Sequence, residues 1–238
     1  LTIFFTTQLH SKEYKNITFD DLFKQDKIII KFKGKEYIDY LKQIKSVGKK
    51  ESIKRNSLSN IHKKKWIKSI LIFNDYNIPI KIKLHGNNSD HISIPYSSLN
   101  LKKKLETEVL KFILLRPNTR NYDAEIFGTI LMNKFGIITP KTKYINVKIN
   151  DQKAKKYILQ QKIDYKLLQD YNLNNGPILK YSDTEEKLYN LNNIDITNVD
   201  FLQIVKNSND EYLNNKKNVH QLYSAIGKFN YKKYFNNY

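Results

Sequence analysis

The chain contains no cysteine. That excludes disulfides, thiolate nucleophiles and cysteine-ligated zinc or iron–sulfur sites, and it leaves the compartment open. Arginine is nearly as scarce, occurring only at Arg55, Arg116 and Arg120. No apolar run approaches the roughly 20 residues that a membrane-spanning helix needs. The apolar start, Leu1–Phe5, is far too short. His10, His62, His85, His91 and His220 include no pair spaced four apart, so a histidine-based metal site has weak support. The sequence also lacks a G-x-S-x-G elbow, an H-E-x-x-H helix and a Walker A loop, which removes the commonest signatures of serine hydrolases, zinc peptidases and P-loop enzymes.

What is abundant is lysine. The 42 Lys and Arg residues stand against 23 Asp and Glu, a formal charge of +19 over 238 residues. Such an excess suits nucleic acid or an anionic membrane surface. Compositional drift is the stronger reading, because lysine, asparagine and isoleucine are abundant throughout, as an AT-rich genome would produce. Specific readers of phosphates and bases also favour the fork of arginine, which argues against nucleic acid as the partner. At 40% hydrophobic and 13% aromatic the chain has enough apolar material for a real core and is not disordered by composition. It opens with Leu rather than Met. A signal or anchor before Leu1 is therefore compatible with it, and would imply the cell envelope or secretion.

Periodicity predicts an α+β chain with a mixed or antiparallel sheet. Thr18 caps a short helical turn with Asp21 three residues on, Ile28–Phe32 is a short strand, and Lys35–Ile44 carries a helical stripe closed near Gly48. Residues 48–65 read as a loop. Trp66–Phe73 and Ile78–Leu84 alternate around Asn74-Asp75-Tyr76-Asn77 and form a hairpin. Val109–Leu115 is a strand stopped by Pro117. Tyr122–Phe135 is the strongest helix, with Ile126, Phe127, Ile130, Leu131 and Phe135 on its apolar side and Gly136 at its end. A second hairpin joins Tyr144–Ile149 to Tyr157–Ile163. Asp164–Tyr171 is a short helix, Gly176–Tyr181 a strand, and Val199–Val205 and Tyr212–Phe229 are helical.

Three places could carry chemistry. The turn Gly86-Asn87-Asn88-Ser89-Asp90-His91 follows a strand, and small-residue turns expose N–H groups that cradle phosphate. By spacing alone it is a polar β-turn, since such turns are common. Arg116 and Arg120 flank a helix entrance and could hold an anion there. Equally, Thr119 or Asn121 could cap the helix with a purely structural arginine beside it. Glu125, in the first helical turn, suits the positive helix end.

Taken in order, these segments resemble the CotH family, protein-kinase-like enzymes named for a spore-coat protein H. The matching segments are KIKLHGNNSDH (81–91), PNTRNYDAE (117–125), GIITP (136–140), YINVKIN (144–150), YIL (157–159), DYKLL (164–168) and GPILKY (176–181), with the preceding hairpin from Trp66. The resemblance implies an α+β fold with a protein-kinase-like N-terminal lobe, mainly antiparallel sheet plus one long helix, and a partial helical C-terminal part. The implied divisions are an N-terminal extension over 1–65, a lobe core over 66–181 and a helical connector over 182–238. It also implies ATP-dependent phosphoryl transfer to protein Ser or Thr with Mg or Mn. Lys83, Gly86, Asp90, His91, Lys102, Arg120 and Glu125 would form the cofactor-binding set. Within it Lys102 would hold phosphate, Glu125 would pair with that lysine, Arg120 would brace the turn, and Asp90 and His91 would fix it.

The chain departs from the family pattern in several positions. Leu99 stands near the expected strand base, Asp151 and Lys155 stand where glycines belong, and Gln160-Gln161 replace carboxylates. The segment bearing the family's catalytic aspartates does not occur before Tyr238, so no catalytic residue is assigned, and the chain is expected to be incomplete and inactive by itself. The alternative expectation is a non-catalytic binding module whose Lys-rich surface takes an acidic partner.

Overall fold

The computed structural model describes residues 17–51, 64–74, 76–86, 89–105, 109–173, 179–181 and 202–204. The chain divides into two compact units, one ending at Lys162 and the other starting at Ile163. The first contains seven strands: β1 (Lys27–Lys31), β2 (Ile67–Phe73), β3 (Tyr76–Leu84), β4 (Leu99–Lys104), β5 (Val109–Leu115), β6 (Thr142–Ile149) and β7 (Lys155–Gln161). They close into a barrel in the order β1-β2-β3-β4-β5-β7-β6. Closure comes from β1, which pairs antiparallel with β2 on one side and parallel with β6 on the other, Ile28 lying opposite Val147.

Strand alternation explains the barrel. Along β3, Ile78, Ile80, Ile82 and Leu84 are buried while Asn77, Pro79 and Lys81 face out. Along β2, Ile67, Leu71 and Phe73 point inward with Ser69 among them. This period of two fills the interior with branched side chains, while β5 and β7 carry continuous buried runs, Phe112–Leu115 and Tyr157–Gln161. Two helices add side chains to this core. In α1 (Phe19–Phe23) Thr18 and Asp21 form a capping box, and Phe19 and Leu22 enter the same core. In α2 (Gly34–Glu51) Tyr40 and Ile44 do so. The Tyr40 ring stacks on Phe32 at 4.7 Å and its hydroxyl donates to the Pro95 carbonyl at 2.5 Å. Burial drives that hydroxyl's pKa well above its ordinary value. Among the described residues no helix is long and apolar enough to cross a membrane.

The expected kinase-like lobe is overturned by this barrel. The short strand at 27–31 is not an appendage to an open antiparallel sheet. It is the stave that joins both edges, and the β1–β6 pairing is parallel. Nor does the expected long helix organise the sheet. That helix, α3 (Asp123–Lys134), has no buried residue. Only Ile126 packs on the outer barrel wall, against Ile113, Leu115 and Ile158, while Phe127, Ile130, Leu131 and Phe135 are exposed.

Other local expectations also shift. α2 continues through Gly48 to Glu51. β4 appears in LNLKKK, where the lysine run hides the alternation of Leu99 and Leu101. In the second unit Asp164 caps α4 (Tyr165–Asp170), its carboxylate accepting from the Lys166 N–H. There β8 (Leu179–Tyr181) pairs antiparallel with β9 (Leu202–Ile204), a strand where a helix over 199–205 was expected. The helix expected over 212–229 lies outside the described residues.

Candidate functional site

Three neighbourhoods hold the residues singled out by sequence, and the first two adjoin, the turn over Ser89–His91 touching the turn over Pro117–Arg120. The first is the corner after β3. Gly86 has φ +78°, and a Cβ there would sit 2.2 Å from Cγ and Cδ2 of His91. The glycine is therefore dictated by the imidazole packed against it. His91 is buried. Its Nδ1 lies 3.2 Å from the Ser98 hydroxyl, and its ring meets His85 edge-on at 5.6 Å. Backbone hydrogen bonds tie the same residues together, His85 N–H to the Ser98 carbonyl and Ser98 N–H to the His91 carbonyl, both 2.8 Å. Burial lowers the His85 pKa to about 4. It lowers that of His91 too, against the opposing pull of Asp90, whose carboxylate is 3.9 Å away.

The cations at this corner are committed to its own carbonyls. The Lys64 ammonium donates to the Gly86 carbonyl. The Arg116 guanidinium donates to the carbonyls of Asp90 at 2.5 Å and Ile92 at 3.2 Å, and its backbone N–H reaches the Ser98 hydroxyl at 3.0 Å. Two neutral histidines under a web of carbonyl-bound cations make a brace. Asp90 and His91 belong to that brace.

Arg120 and Glu125 stand at the entry to α3. A 3-10 turn over Pro117–Arg120 leads into Asn121 and Tyr122, both at positive φ, and no side chain caps the helix. Thr119, a candidate cap by sequence, donates its hydroxyl to the Arg116 carbonyl instead, at 2.8 Å. Glu125 accepts from the Gln160 amide at 2.6 Å and lies 4.0 Å from the Arg120 Nε, which is buried without a hydrogen bond. Its partners are thus Gln160 and Arg120. Asp123 accepts from the Tyr144 hydroxyl at 2.6 Å, and this bond raises the Tyr144 pKa to about 12.

Lys102 has a different neighbour. Its ammonium sits 4.1 Å above the Trp66 ring, with that of Lys83 at 5.1 Å. Leu99 faces the core and Lys102 faces out. Register then reveals a larger feature. Lys68 on β2 lies opposite Lys81 on β3, Lys81 opposite Lys102 on β4, and Lys102 opposite Lys111 on β5. Four lysines thus stand in one row across the outer face of four adjacent strands, their backbone positions spanning about 14 Å at the usual strand spacing. Among the described residues none of the four makes an ion pair, whereas Lys141 and Lys143 pair with Asp20 at 2.7 Å and Asp26 at 3.3 Å. Burial first, then Lys81, Lys111 and Lys83, lower the Lys102 pKa.

The row was missed by sequence reasoning. The expected turn over Asn74–Asn77 would pair Phe73 with Ile78 and so Lys68 with Lys83, whereas the strands pair Phe73 with Tyr76 and Lys68 with Lys81. The rest of the row needs the β3–β4 register, which no short turn sets. Among the described residues no group of three Asp, Glu or His side chains gathers as a metal site. No protein-family model matches the chain, and no curated protein matches it.

Proposed function

We propose that this chain is a binding module that uses the lysine row on the outer face of β2–β5 to hold a polyanionic partner. The observation that carries the reading is the in-register row Lys68–Lys81–Lys102–Lys111, with no ion-paired carboxylate among the described residues. Like charges directly opposite one another destabilise a sheet. A face that keeps four of them is poised to gain when an anion arrives.

The test is affinity for a polyanion, polyglutamate first, measured between about 50 and 200 mM salt. Binding that falls steeply with salt, is weakened by K81Q/K102Q and is indifferent to ATP supports the module. Binding that ignores both salt and the lysines overturns it. ATP-dependent phosphoryl transfer, implied by the CotH resemblance, is the second reading, and the order of the matching segments is its support. Calorimetric titration with ATP and Mg tests it: saturable binding lost in E125A favours it, and absence of binding removes it.

A further inference from the structure

We infer that the polyanion is single-stranded nucleic acid, with the lysine row on the phosphodiester backbone and Trp66 as the platform for a base. This rests on the reading of the row as an anion-binding face.

Trp66 is the only tryptophan in the chain. It immediately precedes β2, at the edge of the row, and is 36% exposed. Lys83 and Lys102 rest their ammonium groups against its ring. A single strand offers such a surface two things at once: phosphates for the cations and a flat π-face for the indole. Phosphates would draw the two lysines off the ring and expose it, and base stacking is at least as strong as a cation over an exposed ring. An acidic peptide would engage the lysines and leave the indole without a stacking partner. The outer wall of a closed barrel is convex, so a flexible strand can follow the whole row, whereas a flat bilayer meets part of it.

The chemistry of the cations agrees. Lysine is a point charge without the bidentate fork that reads base edges. A row of lysines therefore favours sequence-independent backbone binding, and the bases contribute through stacking alone.

The experiment uses the intrinsic fluorescence of Trp66. The full chain is titrated with an oligothymidylate, with polyglutamate of matched charge, and with vesicles of phosphatidylserine and phosphatidylcholine. The expected result is saturable quenching by the oligonucleotide alone, with the tightest binding of the three. By anisotropy of a labelled oligothymidylate, W66L should bind about tenfold more weakly with its salt slope retained. K81Q/K102Q, checked for folding by circular dichroism, should show a shallower slope. If polyglutamate or vesicles bind as tightly as the oligonucleotide, or W66L binds it unchanged, the nucleic-acid inference falls while the anion face stands. If K81Q/K102Q alters binding of no polyanion, both fall.

Discussion

Gly86 and His91 pack so closely that a Cβ on the glycine would lie 2.2 Å from the imidazole carbons. The contact explains why the turn after β3 needs glycine without invoking a phosphate. It also locates the corner's rigidity in His91, Ser98 and Arg116, whose hydrogen bonds join the end of β3 to the start of β4 and the end of β5.

G86A should therefore destabilise the protein by about 2–4 kcal/mol, combining steric overlap with the positive-φ penalty. In an H91A background, where the ring is gone, the same substitution should cost only about 1 kcal/mol, the backbone term. Denaturant unfolding of the four variants measures the difference. Equal costs in both backgrounds would contradict the packing account.

The two histidines set a pH dependence. Their folded pKa values lie below the ordinary 6.5, His85 at about 4, because burial disfavours the charged ring. Between those values the unfolded chain binds more protons than the folded one. Stability is thus full above pH 6.5 and declines as pH falls towards 4, levelling off below that. The loss from His85 should be about 2 kcal/mol, discounted for its partial exposure. Thermal melts across this range should show the decline, and H85Q should flatten it. An unchanged profile in H85Q would place the titration elsewhere.

Glu125 and Lys102 should be energetically independent. The carboxylate is held by Gln160 and Arg120, and the ammonium rests on Trp66. In double-mutant cycles E125A and Q160A should couple by about 1 kcal/mol, and E125A and K102A should add within about 0.5 kcal/mol. Strong coupling of the second pair would restore the lysine–glutamate pairing that the CotH resemblance implies.

Much of the barrel was legible as pieces. The hairpin of β2 and β3 follows from strict alternation and an asparagine turn, and the hairpin of β6 and β7 from the turn at Asn150. Closure was not legible, because the β1–β6 pairing is parallel and long-range, and no local turn specifies it. The apolar stripe of α3 marks a helix correctly yet misplaces its packing: Ile126 touches the barrel while Phe127 and Phe135 face outward. The lysine row was hidden for the same reason as closure. A residue's opposite number across β3–β4 depends on the intervening chain from His85 to Ser98, whose path is set by His91, Ser97 and the carbonyl-bound Arg116.

The row should carry a stability cost when empty. Neutralising its middle, as in K102Q, should stabilise the protein by about 0.5 kcal/mol at low salt, and added salt should shrink that gain. Melting curves of wild type and K102Q over a salt series test this. A destabilised K102Q at every salt concentration would mean that its packing on Trp66 outweighs the repulsion.

The most direct measurement is the salt dependence of oligothymidylate affinity for wild type and K81Q/K102Q. If the row holds the anion, log affinity falls linearly with log salt, and the double substitution reduces the slope by about 1.4, near 0.7 for each phosphate that is no longer neutralised. An identical slope in the two proteins, or binding that does not change with salt, would contradict the account.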